Sequence, residues 1–214
     1  MAEARRRLSP EDRRNELLAL GAEVFGQRPY DEVRIDEIAE RAGVSRALMY
    51  HYFPDKRAFF AAVVRAETER LFEATNTPPQ LGQTLFAQVR GGVLAYLRYD
   101  EEHPNAAWAA YMGMGRSDPV LRGIDDIDND RQADRLLGRI LDSVGGIEDT
   151  VERDLRATVY GWLAFTFEMC RQRLIESLDA DFIADLCTHA LMDSLARVPG
   201  IPPALAEAVA PEQR

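Results

Sequence analysis

The sequence predicts an all-α protein, and three features of it do so. Apolar residues recur at three- and four-residue intervals, helix-start and helix-stop residues separate the recurrences, and no stretch alternates apolar and polar residues as a half-buried strand would. With 214 residues, 46% hydrophobic and 29% charged, the chain has enough material for one medium core, or for a small domain joined to a larger one.

The elements follow in order. Ser9-Pro10-Glu11-Asp12 places an N-cap, a proline in the first turn and two early acids ahead of Leu17, Leu20, Gly21, Val24 and Phe25, so a first helix runs to about Gln27. Asp36 is expected to cap a short second helix carrying Ile38, Ala39 and Ala42 and stopping at Gly43. Ser45 opens a third helix that ends before Pro54. Pro54-Asp55 opens a fourth, running through Phe59, Phe60, Val63, Val64 and Leu71 to the loop at residues 76–80. Longer helices are expected over residues 81–99, 104–113, 118–144, 149–177 and 179–197, each with an apolar stripe such as Leu155, Val159, Trp162, Phe165 and Met169. Residues 1–8 and 201–214 are expected to be flexible ends.

No apolar run approaches the roughly 18–20 residues that cross a bilayer. The arginine-rich start has no apolar stretch behind it, as a secretory signal would. A cytoplasmic location, with no membrane partner, is the expectation. Cys170 and Cys187, the two cysteines, lie in helical apolar patterns and read as buried thiols. The net charge of −10 is unevenly placed: residues 1–57 hold 11 basic and 11 acidic side chains, which leaves 15 and 25 for the rest. A neutral segment with clustered cations can approach a polyanion while the acidic remainder stays off it.

The third helix sharpens that reading. At about 100° per residue, with Met49 facing inward, Tyr52 and Phe53 share its side, Ala47 and His51 point away, and Arg46, Leu48 and Tyr50 lie on the flanks. Two turns with so polar a face gain little from burial and depend on the body that holds them. Ala39 permits close approach of the preceding helix, and Gly43 permits the left-handed turn between the two. This is the helix-turn-helix plan, whose second helix enters the major groove. Arg46, Ala47, Leu48 and His51 are the candidates for base edges; Tyr50 and Lys56, the chain's single lysine, are candidates for phosphates. Arg5, Arg6 and Arg7 form a basic arm that either reaches a minor groove or is a solvated end.

The segment from Val33 to Val64, with its turn glycine, capping Ser45, the run Tyr50-His51-Tyr52-Phe53 and Lys56, resembles the DNA-binding region of the TetR family of transcriptional regulators. The first helix fits the same pattern, and the detailed match covers about residues 15–64. The resemblance implies a homodimer, a palindromic double-stranded DNA operator and a C-terminal ligand domain, and adds Arg34 and Ser45 to the DNA-binding set. Members of that family often carry threonines where this chain has Val33 and Arg34, glycine at Pro29, and Gly-Thr at Ala47-Leu48. The operator sequence therefore does not transfer, and Arg34 stands in for one lost hydroxyl.

A regulator of this kind needs a sensor. Phe86, Trp108, Tyr111, Met112, Trp162, Phe165 and Met169 are the candidates for an adaptable apolar effector pocket, with Trp108, Tyr111 and Met112 favoured beside the glycine-broken turn that follows them. A small apolar or amphipathic effector is the expectation, although any one of these residues taken singly reads more readily as core. Asp126, Asp128 and Asp130 begin like a calcium loop, but Arg131 stands at the turn glycine and Leu137 at the closing glutamate, so no metal site is expected. Asp126, Asp130 and Asp134 read instead as a solvated i, i+4 row. The last two long helices, through Trp162, Phe165, Phe182, Ile183, Leu186, Ala190 and Leu191, are expected to pair with a second copy.

The expectation is thus a ligand-responsive dimeric repressor, with no cofactor and no catalytic residue. The alternatives are an all-helical enzyme, against which stands the lack of a nucleophile elbow, phosphate loop or His-Glu-x-x-His motif, and a nucleic-acid-binding module without a ligand.

Overall fold

The computed structural model describes residues 9–76, 78, 80, 82–112, 119–142 and 147–210, without the side chains of residues 108–110, 112, 119, 121 and 125. Among the described residues there are α-helices α1 (Pro10–Gln27), α2 (Ile35–Ala42), α3 (Arg46–Tyr52), α4 (Lys56–Thr75), α5 (Leu85–Glu102), α6 (Pro104–Met112), α7 (Pro119–Asp142), α8 (Asp149–Glu176), α9 (Ala180–Leu195) and α10 (Pro203–Ala208), and no strand. One short 3₁₀ turn, Tyr30–Glu32, joins α1 to α2. The arginine arm and the glycine-broken turn at residues 113–118 lie outside the described residues.

The helix starts are those the caps dictate. The Ser9 hydroxyl accepts from the Asp12 amide at 3.0 Å, Ser45 Oγ from Leu48 N at 3.1 Å, Asp55 Oδ1 from Ala58 N at 2.7 Å and Asp179 Oδ1 from Phe182 N at 2.8 Å. Each satisfies an amide that the helix itself leaves without a partner. Asp36 departs from expectation. The cap of α2 is Arg34, with no side-chain hydrogen bond, and Asp36 lies inside the first turn. There its charge suits the helix N-terminus, and it pairs with Arg46.

Two compact units divide the described residues. The first comprises residues up to Arg70 together with His103–Ile124; the second comprises Leu71–Glu102 and the residues from Asp125 onward. Helix α6 joins the first unit because it lies against α1. The helices touch so closely at Gly26 that a Cβ there would stand 2.1 Å from the Asn105 carbonyl oxygen. The core of the first unit gathers Leu17, Phe25, Ile38, Met49, Phe53, Phe59 and Phe60. Its rings interlock: Phe25 meets Phe60 edge-on at 4.6 Å between centroids, and Phe53 meets Phe59 at 4.8 Å.

In the second unit Leu85, Val89, Leu137, Ile140, Leu155, Val159, Leu191 and Leu195 share one core. Residues 203–210 correct the expected flexible end. Pro202 and Pro203 start α10, and Leu205 and Val209 are buried in that same core. Two apolar residues four apart give even a short helix a face to bury, and the tail is docked there. Cys170 and Cys187 are buried thiols, as read from the sequence. The acidic row on α7 is exposed, and two of its members are paired: Tyr160 donates its hydroxyl proton to Asp130, and Asp134 holds Arg156 at 2.7 Å, which ties α7 to α8.

Candidate functional site

The first candidate site is built on α3. The turn before it is a glycine-terminated helix end: Gly43 has φ 63 and ψ 36, its amide donates to Glu40 O at 3.0 Å, and the Val44 amide donates to Ala39 O at 2.9 Å. These are the paired bonds of a Schellman motif, which a Cβ at residue 43 would strain. The chain reverses within three residues, and Ser45 restarts it as α3. Met49 and Phe53 are sealed against the core at 0% and 2% exposure, while Ser45, Arg46, Ala47, Tyr50 and His51 are exposed and Leu48 is half-buried. The helical phase read from the sequence is the phase observed.

The cations around α3 are differently committed. Arg46 keeps 69% of its side chain exposed, with Nε 2.8 Å from Asp36 Oδ1. That approach is an ion pair rather than an aligned hydrogen bond. Arg34 is exposed beside the start of α2. Lys56 is half-buried; its Nζ donates to Asp31 O at 3.2 Å and lies 4.4 Å from the centre of the Tyr30 ring. The ammonium thus pins the 3₁₀ turn to the start of α4, a cation–π role the sequence reading did not assign it. Together Arg34, Ser45, Arg46, Ala47, Leu48, Tyr50, His51 and Lys56 lie on α3 or at the starts of α2 and α4.

The second candidate site is a cavity of about 130 Å³ within the second unit. Helix α5 contributes Leu85, Gln88, Val89, Val93 and Tyr96; α7 contributes Asp128, Gln132, Arg135, Leu136 and Arg139; α8 contributes Trp162, Leu163, Thr166 and Phe167; and Thr75 closes it from the end of α4. Of the expected effector residues, Trp162 alone among the described side chains lines it. Phe86 instead lies tilted against His189 of α9 with ring centroids 5.0 Å apart, Phe165 is 37% exposed, and Tyr111 is buried in the first unit. Met169 is half-buried and is not among the lining residues, and the side chains of Trp108 and Met112 lie outside the described ones.

Phase explains the misses on α8: Phe165 and Met169 fall roughly 90° or more around the helix from the middle of the Trp162, Leu163, Thr166 and Phe167 face. The choice of aromatic and methionine side chains also passed over the polar wall. Its signal was present in Asp128, Gln132, Arg135, Leu136 and Arg139, which recur on one face of α7. Arg135 is the centre of that wall. Its guanidinium donates at 3.3 Å to Phe72 O and at 3.3 Å to Thr75 Oγ1, and also to Gln132 Oε1. Burial, reinforced by Arg139 and Arg131 and opposed by Asp128, pushes its pKa down to about 10. Arg131 and Arg135 both lie against the Phe72 ring, at 3.9 and 4.6 Å from its centre.

A three-helix head with an outward α3 and a separate cavity-bearing helical unit define a helix-turn-helix regulator fold. Residues 17–63 match the family described as bacterial regulatory proteins, tetR family. The chain is 32% identical over 95 residues to the HTH-type transcriptional activator FasR of Mycolicibacterium smegmatis, a match covering 44% of this chain and 43% of that one. It thus spans less than half the length of that relative. A TetR-family transcriptional regulator from Streptomyces coelicolor shares the fold with a TM-score of 0.76 at 22% identity, over 94% of this chain and 88% of that one. FadR from Bacillus subtilis, solved in complex with stearoyl-CoA, does so with a TM-score of 0.63 at 16% identity, over 87% and 98%. The likeness to the tetR family of bacterial regulatory proteins is thus carried by the N-terminal residues 17–63.

Proposed function

We propose that the protein is a dimeric, ligand-responsive repressor that binds a palindromic DNA operator through α3 and is released by a small amphipathic effector. The observation that carries the reading is α3 itself: a two-turn helix anchored by Met49 and Phe53 that leaves Arg46, Ala47, Tyr50 and His51 exposed. Arg46 and His51 would read base edges, with Leu48 or Ala47 against a thymine methyl. Arg34, Ser45, Tyr50 and Lys56 would hold phosphates. A phosphate near α3 competes for Arg46 with Asp36, and one near α4 competes for Lys56 with Asp31 O.

Dimerisation follows from Phe165 on α8 and Phe182 and Leu186 on α9, which are 37%, 52% and 36% exposed. A two-fold contact between copies would cover them, and a palindromic operator calls for two α3 helices about one DNA turn, roughly 34–36 Å, apart. The effector would occupy the cavity of the second unit. The stearoyl-CoA bound by FadR is in keeping with an amphipathic ligand for this fold. The reading assigns no catalytic step to any residue.

The test is binding to genomic fragments selected by the purified protein. Affinity should fall steeply with salt, as counterion release requires, and Arg46→Ala combined with Lys56→Ala should weaken it at least tenfold and flatten the salt dependence. Undiminished binding by that double variant would remove α3 as the recognition element.

A further inference from the structure

The cavity in the second unit is built for more than an apolar molecule. Its charged lining side chains are Arg135, Arg139 and Asp128. The oxygens that accept from the Arg135 guanidinium, namely Phe72 O, Thr75 Oγ1 and Gln132 Oε1, are all neutral. A half-buried guanidinium compensated by neutral acceptors is costly to desolvate and gains most from an anion that takes two of its N–H groups at once. Helices α5 and α8 supply the apolar lining, Leu85, Val89, Val93, Trp162, Leu163 and Phe167. A volume of about 130 Å³ is close to the roughly 150 Å³ hole that accepts one benzene ring in a protein core.

We infer that the cavity takes a small monocarboxylate with a body the size of one ring or a short acyl chain, its carboxylate held by the fork of Arg135 and its body against the wall of Trp162 and Phe167. A carboxylate matches the paired donors of the Arg135 fork, and a volume of about 130 Å³ excludes a long chain lying wholly inside. The depressed pKa of Arg135 has the same cause, a cation held among other arginines and away from water. The assignment also gives the bound acid a physical consequence. The donors it would occupy are those that hold Phe72 O and Thr75 Oγ1 in the last turn of α4, where a cation stabilises a helix C-terminus. Occupancy and the clamp on α4 therefore compete for one guanidinium, and α4 is the helix that begins at Lys56 beside α3.

The inference rests on the reading of the second unit as an effector domain, and its test separates the two. Full-length protein is titrated calorimetrically, and its melting temperature followed, with benzoate, phenylacetate and octanoate, with the neutral benzamide and octanamide, and with phenyl phosphate. The acids should bind at least tenfold tighter than the matching amides and raise the melting temperature. In Arg135→Gln the preference for acid over amide should collapse while the amides bind as before, and Arg135→Lys should restore part of it. Equal affinity for acid and amide, no binding of either, or phenyl phosphate binding tighter than benzoate each overturns the inference, and all three are read on the unaltered protein. Operator binding is measured alongside. Acids bound without any DNA binding would sink the regulator reading and leave the cavity assignment standing; DNA bound with no acid preference would do the reverse.

Discussion

At the scale of single residues, small side chains decide where α3 stands. Ser45 supplies the acceptor for Leu48 N, and its loss in Ser45→Ala is expected to cost about 1 kcal/mol, the usual worth of a serine cap. Urea unfolding measures the cost, and DNA affinity should fall with it if the fraying end of α3 is the one that enters the groove, as proposed. Gly26 has the opposite role, as a place where nothing fits. Gly26→Ala drives a methyl group into the Asn105 backbone, so roughly 1–3 kcal/mol or more of destabilisation is expected from overpacking, seen as a lower urea midpoint. Asp36 is a brake on Arg46. Asp36→Asn removes the charge that competes with a phosphate or base and should tighten DNA binding at low salt while flattening discrimination between operator and random sequence.

Among the elements, α8 and α9 carry the boldest expectation. Leu186→Glu together with Phe182→Glu places charge on side chains that are 36% and 52% exposed, so the protomer should still fold, with an unchanged helical circular dichroism spectrum. Light scattering should then report a monomer in place of a dimer, and a monomeric parent protein at micromolar concentration would end the idea. The turn between the two helices offers a separate gain. Ser177 closes α8 at φ 53 and ψ 41, a left-handed conformation that glycine adopts without the Cβ penalty. Ser177→Gly is expected to raise the melting temperature, the relief being about 1 kcal/mol.

For the molecule as a whole, α10 is part of the core. Leu205 is fully buried with Leu155, Leu191 and Leu195, and Leu205→Ala should cost roughly 2–5 kcal/mol, read by chemical denaturation. The prolines at its start and its brevity concealed this helix, since Leu205 and Val209, the large apolar side chains of residues 203–209, leave almost no periodic signal. The helix-turn-helix was legible for the contrary reason. Ser9, Gly43, Ser45 and Asp55 act through the backbone within three or four residues, so their effect is written locally, and the face of a helix follows from which residues must be buried. By itself, the sequence determined the all-α class, the helix order, the outward face of α3 and the two buried thiols. Only the tertiary structure decided that α6 packs on α1, that Arg135 rather than Phe86, Phe165 or Met169 lines the cavity, that Lys56 rests on Tyr30, and that the tail is docked. Those are contacts between residues distant in the chain, set by how helices pack side by side, and no local pattern of caps or periodicity encodes which neighbour a given face will meet.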